Sequence, residues 1–146
     1  RGDSRRTEID MAETLKLEIV TPESRIYSEE VEMVTLPGSE GELGIYPNHV
    51  PLMTKVNAGE LIAKKAGSEE ILAVSEGFAE ITGDHVSILT DNAANSADID
   101  EAAAEEARVK AEKRLEEGDI SEEEAKVLNQ AILYSTAQIR VKRRRG

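Results

Sequence analysis

Residues 71–90, ILAVSEGFAEITGDHVSILT, contain three short apolar runs separated by two turn signals. The runs are Ile71–Val74, Phe78–Ile81 and Val86–Leu89, and the turn signals are Glu76-Gly77 and Gly83-Asp84. Runs of this length that are rich in Val and Ile and bounded by glycine are typical of β-strands. The stretch therefore predicts three consecutive strands joined by tight turns.

The strand pattern extends toward the N-terminus. Leu15, Leu17 and Ile19 alternate with two charged residues, which is the period of a half-buried strand. Val31 and Met33 alternate in the same way. Further runs and turn signals lie at Gly59–Ala63, Pro37-Gly38, Ala58-Gly59 and Ala66–Ser68. Short strands at this spacing indicate an antiparallel sandwich or barrel, here over residues 11–97.

The pattern becomes helical after Asp98. Residues 100–117 are rich in strong helix formers, and Glu117-Gly118-Asp119 ends that run. Asp98 with Glu101, and Ser121 with Glu124, have the spacing of capping boxes. The apolar stripes of the two segments are Ala104, Ala107, Ala111 and Leu115, and Leu128, Ala131, Ile132, Ser135 and Ile139. Residues 98–146 are therefore predicted to form an antiparallel two-helix hairpin, whose alanine-rich seam is only marginally stable alone.

The first ten residues, RGDSRRTEID, show no apolar pattern and hold three basic and three acidic groups. Met11 has the position expected of a natural start. Acidic residues argue against a transit peptide, which is normally poor in them. We therefore expect residues 1–10 to be a disordered leader or an added tail.

The composition excludes several classes of function. The 146 residues carry 18 Lys and Arg against 30 Asp and Glu, a formal net charge of -12. Such a surface repels phosphate backbones, so general nucleic-acid binding is not expected. With no cysteine and only two histidines, thiolate and histidine-rich metal sites are not expected either. Apolar runs fall far short of the ~18 residues that span a bilayer.

Catalytic motifs do not stand out. His49 lies in the turn-rich stretch Gly44–Pro51 without an orienting partner nearby in sequence, so it is more readily a structural or interface residue than a base. His85 begins a strand beside Asp84 and is interpreted as solvated. The glycines between residues 38 and 44 do not form a dinucleotide fingerprint and are interpreted as turn residues. We expect no catalytic site, no metal and no cofactor.

The C-terminus is strongly basic. Arg140, Lys142, Arg143, Arg144 and Arg145 place five cations within six residues. Cations at the end of a helix complement its dipole, but five exceed that need. Contact with an acidic partner is an equal alternative on the residues alone.

Two stretches carry a specific resemblance to a known family. EIVTPE at residues 18–23 and GSEGELGIYPNHVPL at residues 38–52 closely resemble the epsilon subunit of F-type ATP synthases. VSEGFAEI at 74–81, VSILTD at 86–91 and Ile99-Asp100 match it further, in order, so that the resemblance spans about Leu15 to Val141. Asn48 and Glu76 depart from the family, where glycine is usual at both positions.

The resemblance implies a fold and a set of partners. The family has an N-terminal sandwich of about ten strands and a C-terminal helical hairpin, and it is a non-catalytic rotor subunit. Its sandwich docks on the gamma subunit and on the c-ring, at the cytoplasmic face of the bacterial membrane. Glu42 and His49 match the positions expected to contact the c-ring, where a carboxylate suits an Arg-bearing loop.

The resemblance also implies a regulatory hairpin. In bacterial relatives the hairpin either lies on the sandwich or extends toward the catalytic alpha and beta subunits, where it obstructs ATP hydrolysis. The basic residues Arg140 and Lys142–Arg145 would then meet acidic segments of those subunits. The resemblance therefore favours a functional contact of these cations with the catalytic subunits over simple helix capping.

Some relatives bind ATP on the folded hairpin through the motif Ile/Leu-Asp-x-x-Arg-Ala. The matching residues here are Ile99, Asp100 and Ala104, but Ala103 stands where the motif has arginine. The guanidinium that would grip a phosphate is therefore missing, and Arg108 and Lys110 replace it only in part. We expect ATP binding to be weak or absent.

Two other readings differ in class. A free-standing sandwich module for small ligands is disfavoured by sparse aromatic residues and would purify without a gamma subunit. An enzyme that uses His49 would lose turnover on His49→Ala while assembly stayed intact.

Overall fold

The computed structural model describes residues 13–145; the predicted tail at residues 1–10 lies outside this range. Ten strands are followed by a short 3-10 helix at Ser96–Asp98 and by two α-helices. The helices are α1 (Glu101–Glu117) and α2 (Glu122–Arg145). The strands are β1 (Leu15–Val20), β2 (Arg25–Val31), β3 (Met33–Gly38), β4 (Gly41–Ile45), β5 (His49–Val56), β6 (Gly59–Lys65), β7 (Ser68–Val74), β8 (Gly77–Gly83), β9 (His85–Thr90) and β10 (Ala93–Ala94). This confirms the predicted order of a β-sandwich followed by a helical hairpin.

The strands form one continuous ladder in the order β10-β7-β6-β3-β5-β8-β9-β1-β2, with β4 paired to β3. All pairings are antiparallel except that of β1 with β9, which is parallel. Because β2 approaches β6, the ladder curls back on itself and encloses a single apolar core. The sandwich is therefore nearly closed.

Alternation of side chains fills this core. On β1, Leu15, Leu17 and Ile19 are completely buried, as the two-residue period predicts. The alternation at Val31 and Met33 does not mark one strand: β2 ends at Val31 and β3 begins at Met33. Glu32 joins them and donates its backbone N–H to the Lys64 carbonyl at 2.7 Å.

Helix α1 begins at Glu101, within one residue of the predicted start at residue 100, but its cap differs from the predicted one. Its N-cap is Asp100, whose carboxylate accepts the Ala103 N–H at 3.1 Å, so the predicted box that starts at Asp98 is wrong. Asp98 instead ends the 3-10 helix. The predicted cap of α2 is present, because the Ser121 hydroxyl accepts the Glu124 N–H at 3.0 Å.

Helix α2 lies between α1 and the sandwich. It packs on α1 along its length and on β6, β7 and the 3-10 helix near its C-terminus. Of the predicted stripe, Ser135 and Ile139 are buried, whereas Leu128 and Ile132 are half-buried and Ala131 is exposed. Ala137 and Val141, on a second stripe, are also buried. Within residues 13–145, no helix is long and apolar enough to cross a membrane.

Candidate functional site

The glycine-rich motif forms a tight β3–β4 hairpin. Gly38 pairs with Gly41, and Pro37 pairs with Glu42. A side chain on Gly38 would meet the Gly41 carbonyl oxygen at 2.7 Å, and Gly41 itself has a φ of 118°, so both positions require glycine. The motif thus contains a turn, as predicted, at Ser39-Glu40, and the exposed side chain of Glu42 lies on β4 just beyond it.

His49 begins β5 directly after a sharp turn at Asn48. The φ of Asn48 is 66°, in the left-handed region that asparagine tolerates better than most residues with a side chain. Asparagine can therefore stand where the resembled family has glycine. His49 is half-buried, and its Nδ1 lies 2.6 Å from the Val50 carbonyl oxygen, so that nitrogen carries the proton. No hydrogen bond or ion pair joins His49 to Glu42, which lies on the neighbouring strand β4.

An outer apolar face covers three adjacent strands of the sandwich. It consists of Met53 on β5, Phe78 on β8 and Leu89 on β9, which are 68%, 56% and 51% exposed. Phe78 lies directly opposite Leu89 across the β8–β9 pair. Isolated exposed apolar residues are ordinary, but neighbouring ones on one sheet face indicate a surface that another protein covers.

A shallow cleft of about 610 Å³ borders this face. Phe78, Leu89, Val20 and Pro22 line its apolar part. Lys55 and Glu76 stand at the rim as an ion pair with 3.9 Å between Nζ and Oε2. The cleft thus combines an apolar floor with both signs of charge, which is the composition of a protein interface.

Sequence patterns did not single out the outer apolar face. The one feature of the sequence that points to this face is the run Val50–Met53. It has four apolar residues without alternation, in a stretch interpreted as turns. In the structure this run belongs to β5 and is exposed throughout. A β-bulge between His49 and Leu52 breaks the register with β8, and Pro51 lies at this bulge, where a missing N–H is tolerated.

Three of the C-terminal cations already have partners within the chain. The Lys142 ammonium donates to the Ser96 carbonyl at 3.0 Å, and Arg143 pairs with Glu101 at 2.8 Å. Arg144 makes two hydrogen bonds to the carboxylate of Glu60, at 3.1 and 3.0 Å.

The remaining two cations differ from these three. Arg140 is exposed and forms no ion pair with any residue in the described range. Helix α2 ends at Arg145, whose side chain lies outside the described part of the chain.

The residues matched to the nucleotide motif serve the hairpin itself. Asp100 caps α1, and Ile99 and Ala104 are buried, Ile99 in the cluster between hairpin and sandwich. The guanidinium of Arg108 is enclosed by two carboxylates of its own helix, those of Glu105 and Glu112. The hydrogen bonds that Arg108 donates to Glu105 are the chief cause of its raised pKa. The charge of Arg108 is thereby paired within the helix. Lys110 is exposed beside a shallow groove that Asp100 also lines, nearly three turns away along α1.

A charged network closes the seam between β2 and β7. The Tyr27 hydroxyl donates to Glu70 at 2.7 Å, and Lys65 bonds both Glu70 and Glu29. Burial, followed by the hydrogen bond to Glu70, raises the pKa of Tyr27 above its usual range. Hydrogen bonds to the two carboxylates raise the pKa of Lys65. Among residues 13–145, no cluster of three potential ligands could hold a metal ion.

The fold defines a class of protein: a β-sandwich with an appended helical hairpin. Residues 14–96 match the family model described as ATP synthase, Delta/Epsilon chain, beta-sandwich domain. The chain therefore belongs to the ATP synthase epsilon chain family, whose members are non-catalytic subunits of the ATP synthase complex.

Relatives in bacteria support this membership over most of the chain. It is 46% identical to the ATP synthase epsilon chain of Desulfosudis oleivorans over 109 residues, which cover 74% of this chain and 82% of that one. It is 40% identical to the ATP synthase epsilon chain of Laribacter hongkongensis over 129 residues, covering 87% and 91%. The second alignment extends well beyond the sandwich, so it includes the hairpin.

Solved structures show the same fold at low sequence identity. A chain in the Euglena gracilis mitochondrial ATP synthase matches with a TM-score of 0.68 at 22% identity, covering 85% of this chain and 78% of that one. A chain in the central stalk and c-ring structure of Tetrahymena thermophila mitochondrial ATP synthase matches with a TM-score of 0.55 at 11% identity, covering 90% and 95%.

Proposed function

We propose that this chain is a rotor subunit that links the gamma subunit to the c-ring of a proton-translocating ATP synthase, and that its hairpin restrains ATP hydrolysis. It would act at the cytoplasmic face of a bacterial membrane, held there only through the complex. Family membership supports the subunit role, and the outer apolar face supports docking.

The outer apolar face is the proposed gamma-binding surface. Met53, Phe78 and Leu89 expose apolar area that water solvates poorly, so covering it favours association. The Lys55–Glu76 pair at the adjacent cleft offers one charge of each sign for orienting a partner.

Glu42 is the proposed contact with a basic loop of the c-ring, with His49 as a second contact on the following strand. The side chain of Glu42 is exposed on β4, two residues beyond the Ser39-Glu40 turn, and forms no ion pair within the described chain. An arginine of a partner could therefore approach it without breaking an existing bond.

The hairpin is the proposed brake, that is, the element that inhibits ATP hydrolysis. The boundary that we propose between sandwich and hairpin, at residues 97 and 98, falls inside the 3-10 helix Ser96–Asp98. The residues beyond it dock on the sandwich through Ile99, Ala137 and Val141, with Tyr134 partly buried beside them. A contact with so little apolar area can open, which would free the basic end of α2 to meet acidic segments of the catalytic subunits.

The test is ATP hydrolysis by the reconstituted catalytic complex with the full chain and with a chain that ends at Ala97. Faster hydrolysis with the shortened chain is the expected result, because the brake is removed. Arg140→Glu serves as the matched variant, since Arg140 is exposed and has no ion pair to lose in the described chain. It should weaken inhibition while leaving the folded hairpin intact. Equal rates for all three chains would exclude the brake.

The alternative, a free-standing ligand-binding module, would use the cleft of about 610 Å³ beside Phe78. In that case the chain would purify without gamma, and gamma would not compete for the cleft. Stable co-purification with gamma excludes this reading.

A further inference from the structure

Helix α2 carries a second stripe that faces the sandwich. Its members are spaced by four and three residues along the helix, so they share one face: Gln130, Tyr134, Ala137, Val141 and Arg144. This docking stripe packs on β6, β7 and the 3-10 helix. It is distinct from the stripe that contacts α1.

The apolar centre of this contact is small. Ala137 and Val141 are 3% and 0% exposed, and they pack against Ala73, Ala94 and Ile99. Tyr134 and Ile71 pack beside them and are partly buried. Three of the five buried residues are alanines, which bury little area and therefore contribute little to docking. The polar contacts at the two ends of the stripe add to this modest apolar contact in holding the hairpin on the sandwich.

Each end of the docking stripe makes a polar contact with the sandwich. At one end the Gln130 side-chain oxygen accepts the Ala58 backbone N–H at 3.1 Å. At the other end Arg144 binds Glu60 through two hydrogen bonds. The Glu60 side chain is only 15% exposed, so without Arg144 a largely desolvated carboxylate would lose its cation.

The neighbouring cations do not serve the same purpose. Arg143 pairs with Glu101, so it joins α2 to α1 within the hairpin. Lys142 donates to the Ser96 carbonyl, on the segment that connects sandwich and hairpin. Within the described chain, Arg144–Glu60 is the ion pair that joins the hairpin to a strand of the sandwich.

We propose that Glu60 is an electrostatic latch that keeps the hairpin folded on the sandwich and competes with acidic partners for Arg144. Ionic strength and any acidic surface that binds the end of α2 therefore shift the hairpin toward release. The effect of release on ATP hydrolysis rests on the proposed function, whereas the latch itself is a property of the isolated chain.

The first experiment measures amide hydrogen exchange by NMR on the full isolated chain. The Ala58 N–H reports docking directly, because its acceptor is Gln130 of the hairpin and Ala58 is 5% exposed. Glu60→Gln should speed its exchange about three- to five-fold, as expected for losing a partly exposed ion pair. Arg143→Gln removes a positive charge next to Arg144 but breaks a pair with Glu101 within the hairpin, so it should leave the exchange rate of Ala58 unchanged.

Salt and global stability provide the controls. Raising the salt concentration should speed exchange of the Ala58 N–H in the parent chain, because salt screens a partly exposed ion pair. In Glu60→Gln, where that pair is absent, salt should change the exchange rate little. The slowest amides of the sandwich should keep their rates in every variant, which shows that the fold is intact. Equal Ala58 rates in the parent chain and Glu60→Gln, or equal effects of Glu60→Gln and Arg143→Gln, would overturn the latch.

The second experiment measures ATP hydrolysis with Glu60→Gln in the reconstituted complex. This variant frees the hairpin and leaves every basic residue in place, so inhibition should increase. Faster Ala58 exchange with unchanged hydrolysis would retain the latch and reject the brake. Unchanged Ala58 exchange would reject the latch whatever the hydrolysis rate.

Discussion

Replacing Phe78 with serine should weaken binding to gamma by about 100-fold. A Phe side chain that is fully covered buries roughly 200 Å². Because Phe78 is 56% exposed, about 110 Å² remains for a partner to cover. At about 25 cal/mol per Å², that area contributes about 2.8 kcal/mol, which corresponds to about 100-fold in Kd.

Titration calorimetry of the isolated chain with gamma measures this effect. Val127→Ser is the matched control, because Val127 is also apolar and 65% exposed but lies on the hairpin. Thermal unfolding should be nearly the same for both variants and the parent, since both replaced side chains are exposed. Equal affinities for Phe78→Ser and the parent, or equal losses in both variants, would refute the assignment of gamma to the outer apolar face.

Three further predictions concern the other sites. Glu42→Gln should reduce ATP-driven proton pumping in reconstituted vesicles while hydrolysis continues, because a charge at the c-ring contact is lost; unchanged pumping would contradict this. Calorimetry should detect no ATP binding tighter than about millimolar, because Ala103 lacks a guanidinium and that of Arg108 is already paired; micromolar binding would contradict this. The folded-state pKa of Tyr27 is raised above its unfolded value of about 10, so its contribution to stability is complete below that pH and decreases above it. The difference in unfolding free energy between the parent and Tyr27→Phe should therefore shrink from pH 9 to pH 11 in urea titrations. A constant difference would refute the raised pKa of Tyr27, which burial and then the hydrogen bond to Glu70 cause.

Sequence periodicity predicts the strands that have one buried and one exposed face, and it misses strands in which apolar residues lie on the exposed face. On β1 and β9, buried and exposed side chains alternate, so periodicity identifies both strands. On β5, apolar residues such as Val50 and Met53 lie on the surface, where a partner would replace the missing core. Periodicity assumes that the chain alone buries its apolar residues, and it fails where a second protein completes the surface.

Pairing partners are the second kind of information that periodicity cannot supply. The parallel pairing of β1 with β9 joins residues that are some 70 positions apart, between Lys16 and His85 at one end. The docking stripe of α2 was missed for a related reason, since Gln130 and Arg144 are polar and a search for apolar stripes ignores them. Both polar residues nevertheless face the sandwich, because each finds a partner there.

The charge distribution makes the sandwich itself a competitor for the basic end of α2. Residues 11–98 hold 16 acidic and 5 basic side chains, whereas residues 99–146 hold 11 and 10. Within the hairpin these charges are separated: Glu122–Glu124 begin α2 and the basic cluster ends it. The basic end therefore lies beside an acidic body, and Glu60 supplies the direct partner. An acidic segment of another subunit must offer Arg144 more than Glu60 does, so its affinity for the hairpin is reduced by the free energy of that pair. Weakening the pair should thus tighten the hairpin's hold on the catalytic subunits, although no residue that touches them has changed.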